Sequence, residues 1–144
     1  MKELDYILKL RRDIESVNER LDELRAMTQP KGQVISDMPR GGGEQRNTIE
    51  DYIVKSEELT AKRDRLEHEI DEKWDDMYLI CKAANLTAEQ MTLLRYRFYS
   101  GNAWKKCLKW MEQEFPHQNW SESKMFRLYS TSLCKINKQK RQNL

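Results

Sequence analysis

The stretch that decides the fold is residues 2–27, KELDYILKLRRDIESVNERLDELRAM. Ile7, Leu10, Ile14, Val17, Leu21 and Leu24 recur in it at alternating three- and four-residue steps. This heptad seam is narrower than the stripe of an ordinary amphipathic helix, so it predicts a helix that needs a second helix to cover it. Arg11, Arg12, Asp13, Glu15, Glu19, Arg20, Asp22 and Glu23 fill the other faces, as solvated positions do.

The same period returns at 47–83 with Ile49, Tyr52, Leu59, Leu66, Ile70, Met77 and Ile80, interrupted in phase by Ser56, Arg63 and Lys73. Asn47 or Thr48 can cap this second helix, and Glu50 and Asp51 suit the positive end of its dipole. About 37 residues at 1.5 Å each give roughly 55 Å, longer than the first helix can cover. Its apolar end, with Trp74, Met77, Tyr78, Ile80 and Cys81, is expected to pack on the C-terminal module. Between the two helices, Pro30, Gly32, Pro39 and Gly41-Gly42-Gly43 break the pattern, which predicts a flexible loop over 28–46 in which the chain reverses. The glycine run lacks the Lys-Ser/Thr of a phosphate loop.

From residue 84 the elements shorten. Thr87 and Gln90 fit a capping box, and the helix they open is expected to run to about Tyr99 and stop at Ser100-Gly101. Asn102 is placed to cap a second short helix bearing Trp104, Cys107, Leu108 and Met111. Pro116-His117-Gln118-Asn119 reads as a turn. Ser121 then caps a third helix with Met125, Leu128, Tyr129, Ser132, Leu133 and Ile136 inward. The whole is read as all-α: a long antiparallel helical hairpin (a coiled-coil arm, 1–83) and a C-terminal trihelical helix-turn-helix module (84–144).

Composition agrees with long paired helices better than with a thick core: charged residues make up 35% of the 144, with only 5 Gly and 3 Pro. The net charge of +2 is unevenly spread. Residues 101–144 hold nine Lys/Arg against three acids (+6), and residues 1–100 hold 17 against 21 (−4). A basic C-terminal part suits a polyanion, and a solvated basic tail is the plainer account of Lys138, Lys140 and Arg141. Cys81, Cys107 and Cys134 have no CxxC spacing and read as apolar fillers in a reducing compartment. The charged start is no signal peptide and no apolar run would span a bilayer, so a cytoplasmic protein without membrane attachment is expected. His68 and His117 offer no metal-ligand spacing with the cysteines, and no nucleophile sits with a base. No enzyme and no cofactor are read.

The stretches LTAEQMTLLRYRFYSGNAWKKCLKWM (86–111) and NWSESKMFRLYSTSLCKI (119–136) resemble region 4 of bacterial sigma factors, anchored on Leu94-Arg95-Tyr96 and Gly101…Trp104. Most of the chain looks like the ArpU-like late transcription regulators of phages and prophages. These are similar in having a helical arm, a loop with a Val-x-x-x-Met-Pro element (here Val34 to Pro39) and a sigma-like module. The spacing differs from the family pattern: Trp104 to Ser121 is seventeen residues instead of about ten, and Leu108 and Glu112 replace the small residues of the tight helix crossing. The turn over 112–120 is therefore enlarged.

The resemblance implies a phage-type, sequence-specific regulator that binds double-stranded DNA, with host RNA polymerase as a possible partner. The residues that would project into the major groove are Glu122, Ser123, Lys124 and Arg127. Arg127 or Lys124 would donate to guanine and Glu122 would accept from cytosine. Ser121 with its neighbouring N–H groups would hold a phosphate, and Lys105, Lys106 and Lys109 would contact backbone phosphates. A homodimer on half-sites roughly 34 Å apart would suit so small a module. The rival from another class is a non-enzymatic coiled-coil adaptor that binds RNA polymerase or another protein without reading DNA. RNA binding is a weaker third reading, since no aromatic strand platform is present.

Overall fold

A computed structural model describes residues 2–28 and 42–142. They form five α-helices and no strand: α1 (Lys2–Thr28), α2 (Gly42–Ala83), α3 (Ala88–Leu94), α4 (Trp104–Glu114) and α5 (Glu122–Gln142). A π-helical turn, Arg95–Tyr99, continues α3. The protein is all-α, and no described helix is long and apolar enough to cross a membrane.

The heptad of α1 holds: Leu4, Ile7, Leu10, Ile14, Val17 and Leu24 are buried, and Leu21 is half-buried. On α2 the seam is buried at Ile70 and Met77 and half-buried at Tyr52, Leu59, Leu66 and Ile80. The expected start of α2 is corrected. Helix begins at Gly42, so Asn47 and Thr48 lie within it and neither is its N-cap. The first four N–H groups of any helix have no partner inside it, so a glycine pair sits at that end at less cost than mid-helix. The rest of the expected loop, including Val34 and Pro39, lies outside the described residues.

The contacts divide the chain inside the two long helices. One compact unit joins the residues up to Arg12 to those from His68 onward, and the other spans Asp13–Glu67. In the latter, Arg63 Nη1 donates to Asn18 Oδ1 at 3.5 Å. Arg20 and Leu24 line a shallow cavity with Lys55, Leu59 and Lys62, so α1 and α2 run in opposite chain directions there. In that register Ile49 lies beyond the last turn of α1. It is accordingly 57% exposed, and the expectation that it belongs to the covered seam is corrected.

In the first unit, α2 ends where Asn85 takes the left-handed conformation (φ 60°) and Leu86 N–H donates to the Cys81 carbonyl at 3.3 Å. This is the 6→1 bond of a Schellman stop. The first turns of α1 fasten this unit at three points. Tyr6 donates to Glu69, Lys140 pairs with Glu3, and Arg11 Nε donates to the Tyr99 carbonyl while its guanidinium lies 5.1 Å from the Tyr99 ring centre. The Lys140 bond holds the Glu3 carboxyl below the usual carboxylate range.

Candidate nucleic-acid interface

The capping box expected at Thr87 is present in both directions: Gln90 N–H donates to the Thr87 hydroxyl at 3.2 Å, and Thr87 N–H donates to Gln90 Oε1 at 2.9 Å. Gln90 is buried, and it also ties α3 to α5. Its amide donates to Thr131 Oγ1 at 3.1 Å and its carbonyl accepts from Lys135 Nζ at 3.0 Å.

After Leu94 the helix widens: Ser100 N–H reaches back five residues to the Arg95 carbonyl at 2.9 Å. The wider turn carries one more residue than an α-turn, which changes which side chains face inward beyond it. Phe98 turns into the core (2% exposed) with its ring 6.0 Å from Tyr129. Tyr99 faces Trp74 (5.6 Å) and donates to Asp71 at 2.6 Å, a bond that pushes its phenol pKa up. Gly101 ends the element at φ +72°, as the sequence predicts. Asn102 does not cap α4. The N-cap position is Ala103, without a side-chain bond, because the Asn102 carbonyl is engaged by Arg97 Nη1 at 2.9 Å.

α4 and α5 take their orientation from one apolar cluster. Leu93, Cys107, Met111 and Met125 form its buried centre, and Trp104, Leu108, Phe115, Trp120, Leu128 and Tyr129 pack around it. With Cys107 and Met111 inward, helical spacing turns Lys105, Lys106 and Lys109 outward, and all three are exposed. None of them makes an ion pair among the described residues.

On α5, Met125, Ser132 and Ile136 are buried, which leaves Glu122, Ser123, Phe126, Arg127 and Ser130 exposed along one face. Ser121 caps the helix as expected, its Oγ accepting from Lys124 N–H at 3.1 Å. Four of the five residues predicted for this end (Ser121, Glu122, Ser123 and Arg127) are therefore exposed together on the first two turns. Lys124 is different. It is half-buried on the flank of the helix, with Nζ 4.7 Å above the Trp120 ring. The expected turn over 112–120 is corrected, since α4 runs to Glu114 and the connection begins at Phe115. This connection creates the seat of Lys124: Trp120 Nε1 donates to the Phe115 carbonyl at 3.1 Å, and the two rings lie 6.4 Å apart. An ammonium over an indole face gains about 0.5–1 kcal/mol at an exposed site, enough to favour this position over free solvent.

The sequence reading passed over Phe126. It is 41% exposed, and its ring meets Trp104 edge-on at 5.1 Å. Trp104 is in turn held edge-on by Tyr129 at 4.9 Å and covered by the Arg97 guanidinium at 4.6 Å. The available signal was its spacing, four residues after Glu122 and three after Ser123, which counts onto the outward face.

The exposed groups of these two helices are thus three lysines on α4, unpaired among the described residues, and a mixed donor, acceptor and apolar face on α5. The chain matches no protein-family model, and no curated protein or solved structure matches it significantly.

Proposed function

We propose that the protein is a sequence-specific, double-stranded-DNA-binding transcription regulator of phage type, related to sigma region 4 and the ArpU-like regulators. In this reading α4 and α5 are the two helices of a helix-turn-helix. The first two turns of α5 enter the major groove with Glu122, Ser123 and Arg127 toward base edges. Lys105, Lys106 and Lys109 meet phosphates, and Lys124 approaches a phosphate from its seat on Trp120. The paired parts of α1 and α2 form a coiled-coil hairpin arm that supplies the dimer contact or docks on RNA polymerase. The observation that carries the reading is the exposed face of α5: Met125 is buried, and Glu122, Ser123 and Arg127 stand exposed together at the start of the helix.

The test is selection of binding sites from a random duplex library with the full chain, followed by a salt titration on the enriched site and on unrelated DNA. A regulator of this kind enriches one sequence and loses affinity steeply with salt. Replacing Lys105, Lys106 and Lys109 by Ala together lowers the slope of log K against log salt by about 2.7 if each neutralises one phosphate. Arg127→Ala relaxes the preference at one base pair. Failure to enrich any sequence, with equal weak binding to all duplexes, overturns the reading.

A second reading, a protein adaptor, is favoured by apolar side chains left exposed on α2: Val54 at 52%, Tyr78 at 44% and Leu79 at 65%. Binding of purified RNA polymerase that is lost in Tyr78→Ala/Leu79→Ala, with no DNA preference, would establish it.

A further inference from the structure

We infer that Phe126 is a specificity-determining residue that reads the 5-methyl group of a thymine. The inference rests on the DNA-binding function proposed for α4 and α5 and adds to it a base identity.

An exposed phenylalanine is ordinary alone; its surroundings give this one meaning. It stands among Glu122, Ser123, Arg127 and Ser130, all exposed and polar, at the edge of the exposed face of α5 where that face meets Trp104. No other large apolar side chain occupies that face in the first three turns, since Met125 is buried and Leu128 and Tyr129 pack on the cluster beneath. Its ring is also held in place. Trp104 meets it edge-on at 5.1 Å, and Trp104 is fixed by Tyr129 and Arg97. A side chain already ordered before binding loses little rotamer freedom on contact.

The chemistry of the major groove then selects the ligand. Guanine, cytosine and adenine present only hydrogen-bond donors and acceptors there, and a phenyl ring answers none of them. Thymine alone adds an apolar group, the C5 methyl. A phenylalanine between Ser123 and Arg127 therefore fits a thymine beside the base pair that Arg127 contacts, and it disfavours at that place any base whose polar edge it would leave unpaired.

The experiment uses the full chain and the duplex enriched by selection from the random library. Each thymine of the site is replaced in turn by deoxyuridine, which removes the methyl and nothing else. At one position the wild-type chain should bind about fourfold more weakly, the value of one buried methyl-sized group. Phe126→Ala should lose a similar factor on the thymine duplex and become insensitive to deoxyuridine at that position. Its salt slope should be unchanged, because no phosphate contact is lost. Phe126→Leu should keep part of the methyl sensitivity, which separates methyl recognition from a disturbance of Trp104. If deoxyuridine matters nowhere, or if Phe126→Ala senses it as the wild type does, the inference is wrong and the DNA-binding reading stands. If the wild-type chain enriches no duplex, both fall together.

Discussion

Replacing Gly101 by alanine tests the joint between the π-helical turn and the first helix. Gly101 sits at φ +72°, and a Cβ added there would stand 3.2 Å from both Cβ and Cγ of Arg11 and 3.4 Å from its Cδ. The left-handed conformation alone costs an L-residue about 1–2 kcal/mol. Crowding against a side chain anchored on the Tyr99 carbonyl raises the total to roughly 1.5–3 kcal/mol. For a chain of this length, that lowers the melting temperature by about 5–10 °C. Urea denaturation followed by circular dichroism and by tryptophan fluorescence measures the change. Arg11→Ala should cost about 1–2 kcal/mol, because it removes a charge-assisted bond and the contact with the Tyr99 ring. The double variant carries the sharper test. Losing Cγ and Cδ of Arg11 relieves part of the crowding, but its Cβ and the φ of residue 101 remain, so the two costs should fall short of additive by about 0.5–1 kcal/mol. A Gly101→Ala change below about 0.5 kcal/mol would refute the strained joint, that being the usual scatter of surface substitutions. Strict additivity would refute the close approach of Arg11.

Three further predictions concern buried groups. Gln90→Ala should destabilise the protein by about 1–3 kcal/mol in the same denaturation assay, more than Thr87→Ala at about 1, because only the former also strips Thr131 and Lys135 of their partner. Burial pushes the thiols of Cys81 and Cys107 up to about 11. The unfolded chain releases these protons near its ordinary thiol value of 9.0. Stability is therefore fully present below pH 9 and is lost toward pH 11, at about 1.4 kcal/mol per pH unit for each thiol. Cys81→Ala should flatten that alkaline decline. At pH 8 a thiol reagent should modify exposed Cys134 at once and the other two only on unfolding.

The parts legible in the sequence were those written in local periods. The heptad of α1, the box at Thr87–Gln90, the stop at Gly101 and the cap at Ser121 each depend on residues within a turn or two, and each is found. What escaped depends on groups far apart or on a change of helical pitch. The π-turn at 95–99 uses residues that would serve equally in an α-turn, so no spacing announces it. Lys124 reads as an outward residue until Trp120 folds back on the Phe115 carbonyl beneath it. Arg11 reads as a solvated charge on the far side of a seam, yet its guanidinium meets Tyr99, 88 residues later. The contact of Phe126 with Trp104 joins side chains on two different helices, so no local period announces it.

The pairings Arg11–Tyr99 and Glu3–Lys140 have a consequence for the order of events during synthesis. They join residues 88 and 137 positions apart. At roughly 5–20 residues per second, a ribosome makes Arg11 about 4–18 s before Tyr99. The opening turns of α1 must wait that long for the carbonyl and ring that receive Arg11, with Leu4, Ile7 and Leu10 already made. A nascent chain halted before residue 68 lacks almost all of the unit to which those turns belong. The opening turns of α1 are thus secured only once the residues from 68 onward have been made.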